Sequence, residues 1–587
     1  MLKSRSLYVV IASLLLLIPL VSAQDSAEMT ASLLTDPFLQ LPTEDGVHVV
    51  WFTEFEGSNH SLTYGENLDM TVEASTMKMS RLAEDPDSWH PELDFESYTP
   101  RDVWRHEAYA DGLTQGERVP YFVSSIDDDG IEIVSETFSL SPLPAQGQAL
   151  KILLTSDHQL MPMTPANLQI MMETVGQVDA VFFAGDLQNV PDRASEWFDY
   201  GNGGAFFPAL QGNASRTISR SYVSGNSTVE VSSTWNGAPI IQNAPLFPTI
   251  GNHEVMGRYN PSNDLGWQFN NPQPRSVAEA RYELYADTIN PTGDPAIREQ
   301  WITDNSWNTI TYEEMFTLPE GPEGERYYSI QFGDVYYISL FSTRIASGAS
   351  RYQELDENLS NPDAWNYGQV LFGTIEPGNA QYDWLLNELN SEAFQNARFK
   401  IVQLHHPVHS LGGRAVPAFT EPRQVVETDD NGNVTMIRYE YPLDDNYLIN
   451  YLEPMLEEAN VDLVQFGHTH IWERFVSDGG INYLDSSNVG NTYGANWQEN
   501  VRRTVPPTDA WNPANYPGFG DPYGLEPVFP SIAPLTDSDQ EVPYISSNDI
   551  SAFTILDTET GTVSSYYIDL RYPEQGATLF DQFTIGQ

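Results

Sequence analysis

The chain has 587 residues, 40% of them apolar and 12% aromatic, enough to bury more than one core and too hydrophobic for a disordered polypeptide. Its 27 basic and 82 acidic residues give a formal charge of −55, a field that repels nucleic-acid phosphates at long range and sets polyanion binding aside. It contains no cysteine, which removes disulfides, thiolate metal sites and a cysteine nucleophile.

Residues 1–23 read as a signal peptide. Lys3 and Arg5 precede an apolar run over 7–21, and Val21-Ser22-Ala23 fits a small-residue cleavage site. The run falls short of the ~20 residues of a spanning helix and contains Pro19. The expected product is secreted or periplasmic, with no membrane contact after cleavage.

Residues 24–147 read as all-β. "GVHVVWFTEF" is β-rich and alternating, "SLTYGENL" is a strand running into a turn, and "VPYFVSSIDDDGIEIVSETFSL" is a hairpin around Asp-Gly. Short strands at regular spacing indicate a β-sandwich, ending near the linker "SPLPAQGQ".

Over 148–587 the pattern becomes α/β. "ALKILLTSD", "VDAVFFAGD" and "LFPTIGNHE" are buried-type strands, and "TPANLQIMMETVGQ" has helical spacing. "NAQYDWLLNELNSEAF" places Tyr382, Leu385, Leu386 and Leu389 on one helical face before the strand "FKIVQLHH". "LEPMLEEANVDLVQFGHTH" repeats the helix-strand unit, with Pro454 in a first turn. The stretches 201–245 and 255–304 read as long loops.

Each of these strands ends in metal-capable residues: Asp157 and Gln159, Asp186 and Asn189, Asn252 and His253, His405 and His406, His468 and His470. Ligands bind at the carboxyl ends of strands in α/β sheets, where loops converge. A lone strand-end Asp is usually a cap and a lone His usually structural, but five such clusters in succession point to one site. An extended segment directs residues i and i+2 the same way, so His468 and His470 are expected to approach two neighbouring ions, with Gly467 allowing close backbone approach. Oxygen and nitrogen donors without sulfur suit Mn, Mg, Zn, Fe or Co. Paired ions ~3.5–4 Å apart suit phosphoryl transfer.

The series "DHQ", "GDLQN", "GNHE", "HHP" and "GHTH" resembles the calcineurin-like metallophosphoesterases, and among them the purple acid phosphatase group. "WRHEAYADGLTQGERVPYFVSSI" resembles that group's fibronectin-like N-terminal domain. The resemblance implies a fibronectin type III-like sandwich followed by a two-sheet metallophosphoesterase domain flanked by helices. It implies that Asp186 bridges two divalent ions (Mn, Zn, Mg or Fe), that Asp157 and His470 hold the first, and that Asn252, His405 and His468 hold the second. His253 would contact the substrate phosphate and protonate the leaving group, with Glu254 either orienting its ring or serving the fold. The group's tyrosinate ligand is replaced by Asn189, and Gln159 stands where other members have a histidine. These two amides either supply oxygens to the first ion or hydrogen-bond its ligands, and the visible colour of a tyrosinate–Fe(III) pair is not expected. His406, His409 and Arg414 are candidates for phosphate contact, whereas Arg193, Arg258 and Arg474 read equally as ion pairs and His158 as core.

The expected activity is hydrolysis of small phosphate monoesters by a metal-bound hydroxide. The alternatives are phosphodiester or nucleotide hydrolysis on the same fold, and a non-catalytic module with a degenerate metal site.

Overall fold

The computed structural model describes residues 32–346, 369–498, 512–532, 535–537 and 540–586. The expected signal peptide lies outside the described residues. Among the described residues no helix is long and apolar enough to cross a membrane.

The N-terminal region is all-β. One sheet runs Phe38–Gln40, Val47–Thr53, Trp104–Ala110, Ser75–Lys78, and the facing sheet Glu132–Val134, Val119–Ile126, Ser58–Tyr64, Met70–Glu73. The Asp-Gly hairpin is present: Glu132 pairs Ile126, and Gly130 takes φ 82°, which glycine adopts without steric cost. Val47, Val49 and Trp51 fill the space between the sheets with Leu62, Tyr121 and Val123. Val50 and Phe52, on the opposite face of the same strand, belong to the core of the following region. Phe52 lies 5.4 Å from Phe198 and 5.6 Å from Phe207, centroid to centroid. The strand is therefore buried on both faces, and the first sandwich docks through packed aromatic rings.

The remainder builds two sheets. The first orders Leu246–Pro248, Ala180–Phe183, Lys151–Thr155, Ile550–Asp557, Thr562–Asp569, Ala577–Thr584, with its first three strands parallel. The second orders Tyr328–Phe332, Val335–Ser339, Phe399–Gln403, Leu463–Phe466, Asn482–Ser486, Trp472–Val476, Tyr544–Ile545, parallel from Val335–Ser339 through Asn482–Ser486. The parallel strands are apolar on both faces, as double burial requires. Polar links join the sheets at their active edge. Gln403 Nε2 donates to the Phe183 carbonyl at 2.6 Å, and Gln465 Nε2 to the Thr155 carbonyl at 3.1 Å. The carboxyl ends of the two parallel sets thus face one crevice.

Two expectations need correction. The helix Ala380–Leu389 buries Leu385 and Leu389, but Leu386 is exposed, because the stripe runs through i and i+4 and leaves its neighbour outside. Pro454 does sit in the first turn of Glu453–Glu458, a helix that continues directly from a π-helical turn, Leu448–Leu452. The stretches 201–245 and 255–304 are not structureless. The first holds the helix Phe206–Gln211 and a hairpin of Arg216–Ser224 with Ser227–Trp235, and the second the helices Leu265–Phe269, Arg275–Ile289 and Pro295–Asp304.

Candidate metal centre

Asp157, Asp186, Asn252, His405 and His468 each lie two to four residues beyond a parallel strand, and the tight turns there are strained. Asp157, Asp186, His468 and His470 all have positive φ, 56–73°, a left-handed geometry uncommon for such residues and concentrated at functional sites. Backbone bonds hold these turns: the His468 N–H donates to Asp157 Oδ2 at 2.9 Å and the His253 N–H to Asp186 Oδ1 at 2.9 Å. A Cβ on Gly467 would stand 2.2 Å from Asp157 Oδ2, and one on Gly251 2.3 Å from Asp186 Oδ1. Only glycine lets these loops close on the two carboxylates.

Asp186 is the hub. His405 Nε2 lies 3.2 Å from its Oδ2, as does Gln159 Nε2, and His253 Nε2 lies 3.9 Å away. His405 Nε2 also meets Asn252 Oδ1 at 3.2 Å, while its Nδ1 donates to the Ala184 carbonyl at 2.7 Å, fixing the ring. His470 Nε2 lies 3.2 Å from Asp157 Oδ1, and its Nδ1 donates to the Asn491 carbonyl at 3.0 Å. Asp157, Asp186 and His405 present ligand atoms within 4.8 Å of one another, and so do His405, His406 and His468.

Because the histidine segment is a pair of left-handed residues and not an extended strand, the expected same-side placement does not hold. The His468 ring stacks on His406 at 4.0 Å, whereas His470 turns to Asp157 and stacks on Tyr493 at 4.4 Å. The two imidazoles serve opposite ends of the cluster.

These residues fit divalent cations. Gln159 Oε1 is buried with no hydrogen-bond partner, and Asp157 Oδ1 has none of good geometry, acceptors that a cation would satisfy. Burial opposes a charge on His405, yet Asp186 beside it raises its pKa to about 10; a carboxylate that so favours positive charge on its neighbour equally favours a cation. Burial and the charge on neighbouring histidines push His406 and His468 well below the ordinary imidazole value, leaving neutral rings with lone pairs to donate.

Several sequence candidates take other roles. Glu254 accepts the N–H groups of Asp186, Leu187 and Gly251 at 2.6–2.9 Å, so it clamps two site loops together. Burial, then Asp186, raise its pKa to about 8. The His253 ring is held instead by the Asn189 carbonyl, 2.6 Å from Nδ1, and by stacking on Phe269. Asn189 Nδ2 donates to the Gln159 carbonyl at 3.1 Å, tying the two departures from the family pattern together.

His409 does not face phosphate. Its Nδ1 and Nε2 lie 3.1 Å from Asp521 and 3.0 Å from Glu453, so both ring nitrogens are engaged by carboxylates. Arg193 is buried against Asp85 and Glu196, and Arg474 against Asp581. Arg258 donates to Asn271, and His158 is a core residue against Phe183. Arg414 is exposed and lies over the Tyr493 ring at 4.6 Å, continuing the stack that begins at His470. His406 Nδ1 is paired with Thr343 Oγ1 at 3.0 Å. Sequence reasoning missed Tyr493, which lies 23 residues beyond His470 in a segment with no periodic pattern.

The calcineurin-like phosphoesterase family model matches residues 150–472, more than half the chain and all five motif loops. The chain belongs to the calcineurin-like phosphoesterases. Members of this family use divalent metals, and the domain is that of a phosphoester hydrolase. Among solved structures, this phosphoesterase is similar to a purple acid phosphatase, PPD1, isolated from yellow lupin (Lupinus luteus) seeds. The two are 14% identical with a TM-score of 0.51, covering 93% of this chain and 73% of the other. A structure of PhoD shares 12% identity at a TM-score of 0.43, covering 95% and 94%. No curated protein matches the chain at a significant level.

Proposed function

We propose that this chain is an exported phosphomonoesterase with a pair of divalent ions. Asp186 would hold both, Asp157 and His470 the first, and Asn252, His405 and His468 the second, with the oxygens of Gln159 or Asn189 available to the first. The observation that carries this reading is the convergence of four strand-end loops on one buried carboxylate, Asp186, while the fifth, at His468 and His470, closes on Asp157 beside it. Ions bound there supply Lewis-acid polarisation of a phosphoryl oxygen and acidify water.

The chain's own residues supply the rest. The His253 side chain is 21% accessible, against almost none for His405 and His470. Its Nδ1–H is committed to the Asn189 carbonyl, so Nε2 faces the crevice as the atom that can carry a proton to a departing alcohol. Arg414, over the Tyr493 ring that stacks on His470, would meet a phosphate oxygen. His409, with both nitrogens engaged, has no part in the reaction.

The test is hydrolysis of nitrophenyl phosphate and bis(nitrophenyl) phosphate by the chelator-stripped protein, with divalent ions added back. Metal-dependent release from the monoester at a higher kcat/KM supports the reading. A preference for the diester would overturn the substrate class, and no metal-dependent release from either would overturn the activity.

A further inference from the structure

Beside the metal centre lies a cavity of about 410 Å³. Gln159 and Asn189 form its inner wall, which places it against the first-ion ligands, and the Asn189 carbonyl that fixes His253 belongs to the same wall. Its outer wall comes from segments outside the five motif loops. Tyr200 and Asn202 enter from the stretch before the 216–235 hairpin, and Asn491 and Asn548 from the C-terminal third. The hairpin is pinned over this space: Arg220 Nη2 donates to the Asn548 carbonyl at 2.8 Å, and its Nε pairs with Asp549 at 2.8 Å.

The lining chemistry is selective. In a chain with 82 acidic residues, none of the described residues lining this cavity is a carboxylate, and the one cation, Arg220, is neutralised by Asp549. What remains is amides and a phenol over an apolar floor of Leu160 and Met161. Side-chain amides donate and accept at once, which matches hydroxyl groups better than a second phosphate or a hydrocarbon. Uncharged walls leave nothing to repel an anionic ester or to hold an extra anionic group. The volume lies in the range of small-molecule sites.

Resting on the phosphoesterase reading above, we propose that this cavity is the subsite for the alcohol half of the substrate and takes a neutral, hydroxyl-rich group such as a sugar or a ribose. A phosphate ester with its alcohol here keeps the scissile oxygen on the His253 side, where Asn189 joins the two spaces.

The experiment uses the metal-loaded full chain and four esters: glucose 6-phosphate, adenosine 5′-monophosphate, butyl phosphate and nitrophenyl phosphate. KM for the better of the first two is expected to be at least ~10-fold below that for butyl phosphate, the scale of one or two lost hydrogen bonds. Which of the two is better tells whether a sugar or a nucleoside fills the cavity. Tyr200→Phe removes one donor, and Asn202→Asp keeps the acceptor used by the Gly204 N–H (2.8 Å) while replacing the amide donor with a charge. Each is expected to raise KM for the favoured ester at least ~3-fold more than KM for nitrophenyl phosphate. Equal KM values for hydroxylated and butyl esters, or equal changes for all esters in both variants, would overturn the subsite while leaving the phosphoesterase intact. Failure to hydrolyse nitrophenyl phosphate with any divalent ion would overturn the phosphoesterase reading and the subsite with it.

Discussion

His253 and His409 show how the same side chain takes opposite roles through its partners. His253 has one nitrogen fixed by a carbonyl and the other turned to the crevice. His253→Ala should keep the bound metal and lower kcat by ~10²–10⁴-fold for alkyl phosphates, and by much less for nitrophenyl phosphate, whose leaving group needs little protonation. Equal losses for both leaving groups would assign the ring to phosphate binding. His409 has a carboxylate on each nitrogen. Burial alone would lower its pKa, but Asp521 and Glu453 raise it to about 9, above the ordinary 6.5. The folded state therefore favours the charged ring, a contribution complete below pH ~6.5 and lost as pH rises through ~9. The urea midpoint should fall across that window. His409→Gln should be less stable by ~3 kcal/mol at neutral pH, because the buried Asp521 and the partly exposed Glu453 lose their cation, and its midpoint should vary less over the same window. Parallel pH profiles for the two proteins would contradict this role.

At the level of elements, strands and motif loops were legible because each carries its own signal. Apolar runs such as "KILLT" and "AVFF", short and closely followed by polar turn residues, read as doubly buried strands, and an aspartate follows each within three residues. The 216–235 hairpin was not read, although Gly225-Asn226 between β-rich runs is a hairpin signal. Its strands are mostly serine, threonine and charge, with little apolar alternation to mark a face. The turn geometry of "GHTH" was also hidden, since its left-handed residues come from contacts with Asp157 across more than 300 residues of chain. The partners of His409 lie 112 and 44 residues away, and no local pattern announces them. The double burial of Val47–Thr53 was concealed for the same reason: period-two alternation shows one face in and does not say what covers the other. Its consequence is testable. Phe52 is fully buried among Phe38, Phe198 and Phe207, so Phe52→Ala should cost about 3–5 kcal/mol and loosen the first sandwich from the rest. Calorimetry should show a lower-temperature unfolding step in the variant. An unchanged thermogram would mean that this aromatic contact does not couple the two regions.

Across the whole molecule, two sheets bring their parallel strands' carboxyl ends to one crevice, and an acidic chain of net charge −55 surrounds it with a field that concentrates divalent cations. The cluster favours positive charge: Asp186 raises the His405 pKa, and the buried Gln159 Oε1 has an acceptor to offer. Asp186 is the residue that all of this converges on. Elemental analysis therefore bears directly on the central claim, using wild type and Asp186→Asn equilibrated with Mn or Zn and passed through a desalting column. The account predicts two ions per wild-type chain, and at most one in a variant that retains its folded circular dichroism. A wild type that retains no metal, or an Asp186→Asn protein that still holds two ions, would contradict it.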